Sequence, residues 1–336
     1  MDSLTHVALG AAVGVAVMGR RTALWKAALW GAVANTLPDL DVIIDQGDPI
    51  RAMVLHRGET HALFWLSLFS LPMAAVVARL HGEQAQWRRW WLAIWLALVT
   101  HPLLDALTVY GTRLALPFSP DPVGVGSIFI IDPLFTLPLL VGVGWVLAGR
   151  GSGRGRAANV AGLLVGAAYL AWGVAAQQRV EHIARASLTR AGIAADRVLV
   201  TPTPFNSLLW RVVAMAGDDY HEGFYSLLDA ERRIAFDRFP SGAAIAAELQ
   251  GVDGVQRLAA FSRGFYALRQ EGKRLLMSDL RMGQEPHYVF TFAVAVRRSE
   301  PVPLVPNVQI ASRPDIGRSL RWLGRRALGE PLPPPR

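Results

Sequence analysis

Four short polar stretches interrupt an otherwise apolar N-terminal half. They are Thr5-His6, Pro-Asp-Leu-Asp at 38–41, His-Arg-Gly-Glu-Thr-His at 56–61 and Thr-His-Pro-Leu-Leu-Asp at 100–105. A fifth, Asp132-Pro133, opens the next apolar run. Together they offer His6, Asp39, Asp41, His56, His61, His101, Asp105 and Asp132 as metal ligands. Neutral imidazole and carboxylate suit zinc, iron, manganese or nickel, and the absence of cysteine removes any thiolate site. Three histidines and one carboxylate suffice for one divalent ion, and the full set has room for two. Zinc is the leading candidate. Two ions about 3.5–4 Å apart suit phosphoester hydrolysis, and a bound ion lowers the pKa of its water toward ~7. Glu59 is placed to act as general base, and Arg57 to hold an anionic oxygen bidentately.

The elements that position these residues are membrane spans. A spanning helix needs about 20 mostly apolar residues. Candidates lie at about 3–19, 22–37, 61–80, 88–110, 131–149 and 157–177. Arg20 and Arg21, then Arg79, Arg88 and Arg89, then Arg150, Arg154 and Arg156 mark three loops as cytoplasmic by the positive-inside rule. The loop carrying Asp39, Asp41, Asp45 and Asp48, and the C-terminal part, are expected to face outward. Counted from the arginine anchors at about 1.5 Å per residue, the histidines and aspartates share one depth, in the outer half of a core about 30 Å thick. His101 and Asp105, at i and i+4, share one helix face. Thr precedes His6, His61 and His101, and its hydroxyl either orients the ligand or bonds back to its own helix.

Composition bounds the alternatives. The chain has 336 residues, 52% hydrophobic and 18% charged, below the roughly 25% charge of an average soluble domain. Its net charge is +8. No aromatic–basic motif or helix-turn-helix pattern accompanies that charge, so membrane lipid is the expected partner and direct nucleic-acid binding is not. Residues 1–176 read as an all-α membrane bundle of about six spans. Residues 177–328 read as a smaller α+β domain with an antiparallel sheet, and 329–336 as a disordered tail. In the second domain short strands are expected at 197–202, 208–215, 223–228, 232–236, 261–268, 274–279 and 287–297, and a short helix at 241–250. His221 and His287 read as surface or structural, and Arg281 as a substrate-side candidate. Asp45 and Asp48 read as solvated loop residues, and His81 as a bystander in a cytoplasmic loop.

The stretches M-D-S-L-T-H, P-D-L-D, H-R-G-E-T-H and T-H-P-L-L-D-A-L-T-V-Y-G-T resemble the YdjM-like, LexA-binding, inner-membrane-associated family of metal-dependent hydrolases. The resemblance covers about residues 1–175. The stretches N-S-L-L-W-R-V-V and S-D-L-R-M-G look like the C-terminal extension of longer members. The pattern of His, Asp and His101-x3-Asp105 is also distantly similar to the zinc phospholipase C and P1 nuclease superfamily, which favours phosphoester chemistry. The resemblance thus implies a multi-pass enzyme of the cell inner membrane, acting on a phosphoester or lipid-like substrate at the outer face. A LexA-type partner, implied by the family name, would reach only the cytoplasmic loops in this topology. A non-catalytic metal or proton transporter or sensor, or an envelope scaffold, remains the alternative.

Overall fold

The computed structural model describes residues 1–149 and 152–336. The anchor Arg150 lies outside the described residues. The helices of the N-terminal half are α1 Ser3–Met18, α2 Leu24–Thr36, α3 Pro49–Leu55, α4 Leu63–Leu80, α5 Trp87–Ala106, α6 Pro133–Ala148 and α7 Gly153–Arg190. Two compact units result: Met1–Ile43 with Arg57–Val174, and Ile44–His56 with Ala175–Arg336.

The first unit is helical. Each of the six expected spans coincides with a helix, but α4 and α7 are the two, among the described residues, that are long and apolar enough to cross a membrane. The remaining four fall short for separate reasons. α1 and α6 have 16 residues each and α2 has 13. At about 1.5 Å per residue they reach roughly 20–24 Å, against a core of about 30 Å. α5 is 20 residues long but carries Arg88, Arg89 and Asp105.

Small residues bring α1 and α2 together. A Cβ on Gly10 would sit 2.2 Å from the Gly31 carbonyl oxygen, and a Cβ on Gly31 would sit 2.1 Å from that of Gly10. This backbone-to-backbone approach sets His6 beside Asn35. A buried layer of Val15, Met18, Ala27, Trp90, Ile94 and Leu98 joins α1, α2 and α5 beneath the polar residues. α2 runs into a 3-10 turn, Leu37–Ile43, that carries Asp39 and Asp41. A second 3-10 turn, Glu59–His61, follows Gly58.

The second unit contains β1 Arg197–Pro202, β2 Leu209–Ala216, β3 Asp219–Ser226, β4 Phe236–Pro240, α8 Ala243–Glu248, α9 Asp253–Phe261, β5 Tyr266–Glu271, β6 Arg274–Asp279, β7 Gly283–Gln284, β8 His287–Tyr288, β9 Thr291–Arg297, β10 Pro301–Gln309 and α10 Ile316–Ala327. Where one antiparallel sheet was expected, there are two of four strands, ordered β1-β2-β3-β4 and β10-β9-β6-β5, with a short β7-β8 hairpin. β10 is an edge strand with a register shift between Pro303 and Val308. Its prolines cannot donate to a ladder, so they are tolerated at an edge.

This unit also holds residues 44–56. Asp48 caps α3 and accepts from Asn307 N at 2.7 Å and Asn307 Nδ2 at 2.8 Å. Its carboxyl is therefore held below the usual range, against the opposing effect of partial burial. A solvated loop aspartate was expected there. At the other end, the Trp322 indole donates to the Leu332 carbonyl, and Arg336 pairs with Asp237 at 2.6 Å. These contacts lie within the stretch expected as a tail.

Candidate metal centre

His101 and Asp105 project from α5, one turn apart. Their fellow ligands arrive on the two 3-10 turns: Asp39 from the first and His61 from the second. One ligand atom from each of the four lies within 4.8 Å of every other, so the cluster could hold a metal ion. His101 Nε2 is 3.0 Å from His61 Nε2, 3.3 Å from Asp39 Oδ1 and 3.5 Å from Asp105 Oδ2. His61 Nε2 is 3.3 Å from Asp39 Oδ1 and 3.6 Å from Asp105 Oδ2. Ligands bound tetrahedrally at about 2.0–2.1 Å stand roughly 3.3 Å from one another. The five edges that involve a histidine scatter about that value.

The outer hydrogen bonds decide which ring nitrogens carry protons. His101 Nδ1 lies 2.5 Å from the Asn35 carbonyl oxygen, which can only accept. Nδ1 is therefore the donor, and Nε2 of the neutral ring presents a lone pair. The Thr60 hydroxyl donates to Asp41 Oδ2 at 2.8 Å, so its oxygen is left to accept from His61 Nδ1 at 2.9 Å. His61 Nε2 is thereby also a lone pair. The same logic covers His6. Asn35 Nδ2 donates to the Ala97 carbonyl at 2.5 Å, leaving Asn35 Oδ1 to accept from His6 Nδ1 at 3.0 Å. Such outer partners are the usual means of fixing metal-binding imidazoles.

Bare nitrogens and two carboxylates thus converge with no proton between them. His6, His61, His101 and Asp105 are fully buried, and Asp39 is 22% exposed at its side chain. Asp105 Oδ2 and His6 Nε2 make no hydrogen bond, although the Arg57 guanidinium approaches Asp105 Oδ2 at 3.2 Å. Buried acceptors in this state are costly unless a cation joins them. The donor set and the orphaned atoms both fit a first-row divalent ion.

Three further expected residues belong to the same neighbourhood in other ways. His6 stacks on His101 with ring centroids 3.7 Å apart, and its Nε2 lies 3.4 Å from the other Asp105 oxygen, Oδ1, which also meets the Met1 amine. Arg57 Nε is 3.2 Å from Asp105 Oδ2, its Nη1 donates to Thr108 at 3.0 Å, and its guanidinium lies over the Tyr110 ring. Arg57 has φ of 62°, a left-handed conformation that non-glycine residues adopt mainly where surrounding contacts enforce it. Asp41 is a buttress, accepting from Thr60 and from the Arg57 backbone N–H at 3.1 Å.

The rest are placed elsewhere. His56 ends α3 in the second unit. Glu59 is exposed on its 3-10 turn, outside the group of four. Asp132 caps α6 and accepts from the Tyr169 hydroxyl at 2.7 Å.

A family model described as "YdjM inner membrane protein" matches residues 1–180. The chain belongs to the YdjM inner membrane protein family. The YdjM match contains every residue of the cluster and ends near the middle of the chain. The uncharacterized protein YfhP of Bacillus subtilis (strain 168) is 31% identical over 159 residues, 46% of this chain and 48% of that protein. The chain spans about half the length of this curated relative. No solved structure matches.

Asn35 was not among the expected residues, yet it serves two histidines at once, through its side chain and its carbonyl. Its only signal in the sequence is an amide inside an apolar helix. Of the three Thr-His pairs, Thr60 orients its histidine, whereas Thr100 bonds back to Leu96 O at 2.7 Å and Thr5 meets Asp2 and Thr136. Thr60→Val should therefore weaken metal binding by about 10–100-fold, the usual size of outer-partner losses. Thr5→Val should leave affinity within about threefold. Competition with a fluorescent chelator in detergent would measure both.

Proposed function

We propose that this protein is a membrane-embedded, metal-dependent hydrolase of the cytoplasmic membrane, acting on a phosphoester or lipid-like substrate at the outer face. Asp39, His61, His101 and Asp105 would hold the ion, with zinc the first candidate. A second ion, if present, would start from His6 Nε2 and Asp105 Oδ1. The observation that carries the reading is the convergence of two bare Nε2 atoms and two carboxylates on one point. When bound, a divalent ion supplies a polarised phosphoryl oxygen and an acidified water.

The chain's own groups have distinct tasks in this reading. Asp39 is the most exposed of the four and marks the side open to substrate. Arg57, held by Thr108 and Asp105, balances the buried carboxylates and offers a guanidinium to an anionic oxygen. Glu59 remains the candidate base, which requires the exposed 3-10 turn to close over substrate. Support for a multi-pass arrangement comes from outward apolar side chains on α4, α6 and α7, such as Phe69, Val141, Trp145, Leu164 and Trp172. Faces of that kind suit contact with lipid.

The test is a substrate panel on detergent-purified protein. It would contain a soluble phosphomonoester, a soluble phosphodiester and a phospholipid, each assayed with chelator and after readdition of zinc, manganese or iron. Hydrolysis that chelator abolishes and one ion restores is expected. The near-complete burial of the ligands also suits an ion that is conducted rather than used in catalysis. Metal flux into liposomes without hydrolysis of any substrate would replace the hydrolase reading with transport.

A further inference from the structure

A second polar site lies on α7, in the C-terminal unit. A cavity of about 520 Å³ is lined by Arg179, His182, Ile183, Ala186, Arg190 and Arg232. Three arginines and a histidine are among the lining residues, and no acidic residue is. The only acid on α7, Glu181, is paired with Arg185 at 2.7 Å. Arg190 is already braced. Its Nε donates to the Ala186 carbonyl and its Nη2 to the Arg232 carbonyl, each at 3.1 Å. These bonds hold Arg190 against the backbone of a second arginine. Arg179, Arg190 and Arg232 are exposed, so their charges are open to an anion from solvent, and the planar guanidinium fork matches phosphate oxygens.

Position along the helix adds a second argument. Residues 157–178 of α7 carry no charged side chain, and Arg179 is the first charge after them. Basic residues just beyond an apolar span meet the headgroup layer. From Arg179 to Arg190 the helix rises about 16 Å. Ile183 and Ala186 give the same cavity an apolar wall.

We infer that this cavity binds a phosphate-bearing anion, with the Arg179, Arg190 and Arg232 guanidinium groups on its oxygens and Ile183 and Ala186 against its apolar part. The site is separate from the metal cluster and does not depend on it. A lipid headgroup and a free phosphate share this chemistry.

Native mass spectrometry and equilibrium titration of the full chain in detergent would test it. The probes are inorganic phosphate, dihexanoyl phosphatidylglycerol and dihexanoyl phosphatidylcholine. One phosphatidylglycerol per chain is expected, with phosphatidylcholine at least about tenfold weaker. The Arg179→Gln/Arg190→Gln/Arg232→Gln variant should bind at least about tenfold more weakly. Because Arg190 also braces the backbone, Arg179→Gln/Arg232→Gln serves as a second variant that keeps those bonds, and it should show the same direction of loss. Binding of phosphate as strong as that of phosphatidylglycerol would assign the site to a free anion. Preference for the lipid would assign it to a headgroup. Equal binding by wild type and both variants, or binding of no anionic probe, would overturn the inference.

Discussion

His101→Ala protein is expected to purify folded, to lose stoichiometric metal and to lose any metal-dependent hydrolysis. His101 Nε2 lies 3.0 Å from His61, 3.3 Å from Asp39 and 3.5 Å from Asp105. Removing it takes away one of four ligand atoms, so the loss should exceed the ~10–100-fold typical of outer-partner changes. The substitution also leaves the Asn35 carbonyl without its ring partner and opens space beside His6. That structural cost should be about 2–5 kcal/mol, from the lost bond and the cavity. His101→Gln refills much of the volume and separates the two effects. Its thermal midpoint should approach that of wild type while the metal stays absent. Full metal occupancy in His101→Gln, measured by elemental analysis, would count against the ligand role.

Asp105→Asn makes the second large change. The Asp105 carboxylate faces the Met1 amine, His6, His61, His101 and Arg57. Arg57 is itself buried, at 3% exposure. Neutralising Asp105 would strand that guanidinium, and breaking one side of a buried pair costs about 3–5 kcal/mol. The expected result is a marked fall in thermal stability together with loss of metal. The double variant Asp105→Asn/Arg57→Gln should regain a large part of the stability, because the stranded charge is gone. It should not regain the metal. Recovery of both would show that Asp105 acts only as a counter-charge. Recovery of neither would mean that its contacts to the histidines, rather than to Arg57, dominate stability.

Much of this site was legible before any coordinates. The i, i+4 pair of His101 and Asp105 follows from helical periodicity alone, and counting depth from the arginines placed Asp39 and His61 in the same layer. Depth does not report which way a residue faces. Asp41 shares a turn with Asp39 yet turns to Thr60, and His56 belongs to α3 of the other compact unit. Asp132 was counted to the same depth, but its carboxylate caps α6 and accepts from the Tyr169 hydroxyl. Asn35 escaped notice because an amide in an apolar helix reads as packing until its neighbours are known.

In the second unit, β1 and β6 fall where alternation predicts them. β10 does not, because its prolines and exposed valines hide an edge strand. α9 begins within a stretch of turn residues, and the arginines of α10 mask a helix whose Trp322 is buried. The count of spans erred for a different reason. Apolar runs measure composition, whereas α1, α2 and α6 stop short of the length that a membrane core requires.

In the proposed reading Asp39, His61, His101 and Asp105 together hold one divalent ion. X-ray absorption spectroscopy on wild-type protein, purified in mild detergent and loaded with zinc, addresses it directly. The account predicts at least one tightly held ion per chain, with two imidazole nitrogens and carboxylate oxygens at about 2.0–2.2 Å. Both imidazole contributions should vanish in a His61→Gln/His101→Gln variant. An ion that is absent, or one whose imidazole signal survives that double substitution, would contradict the account.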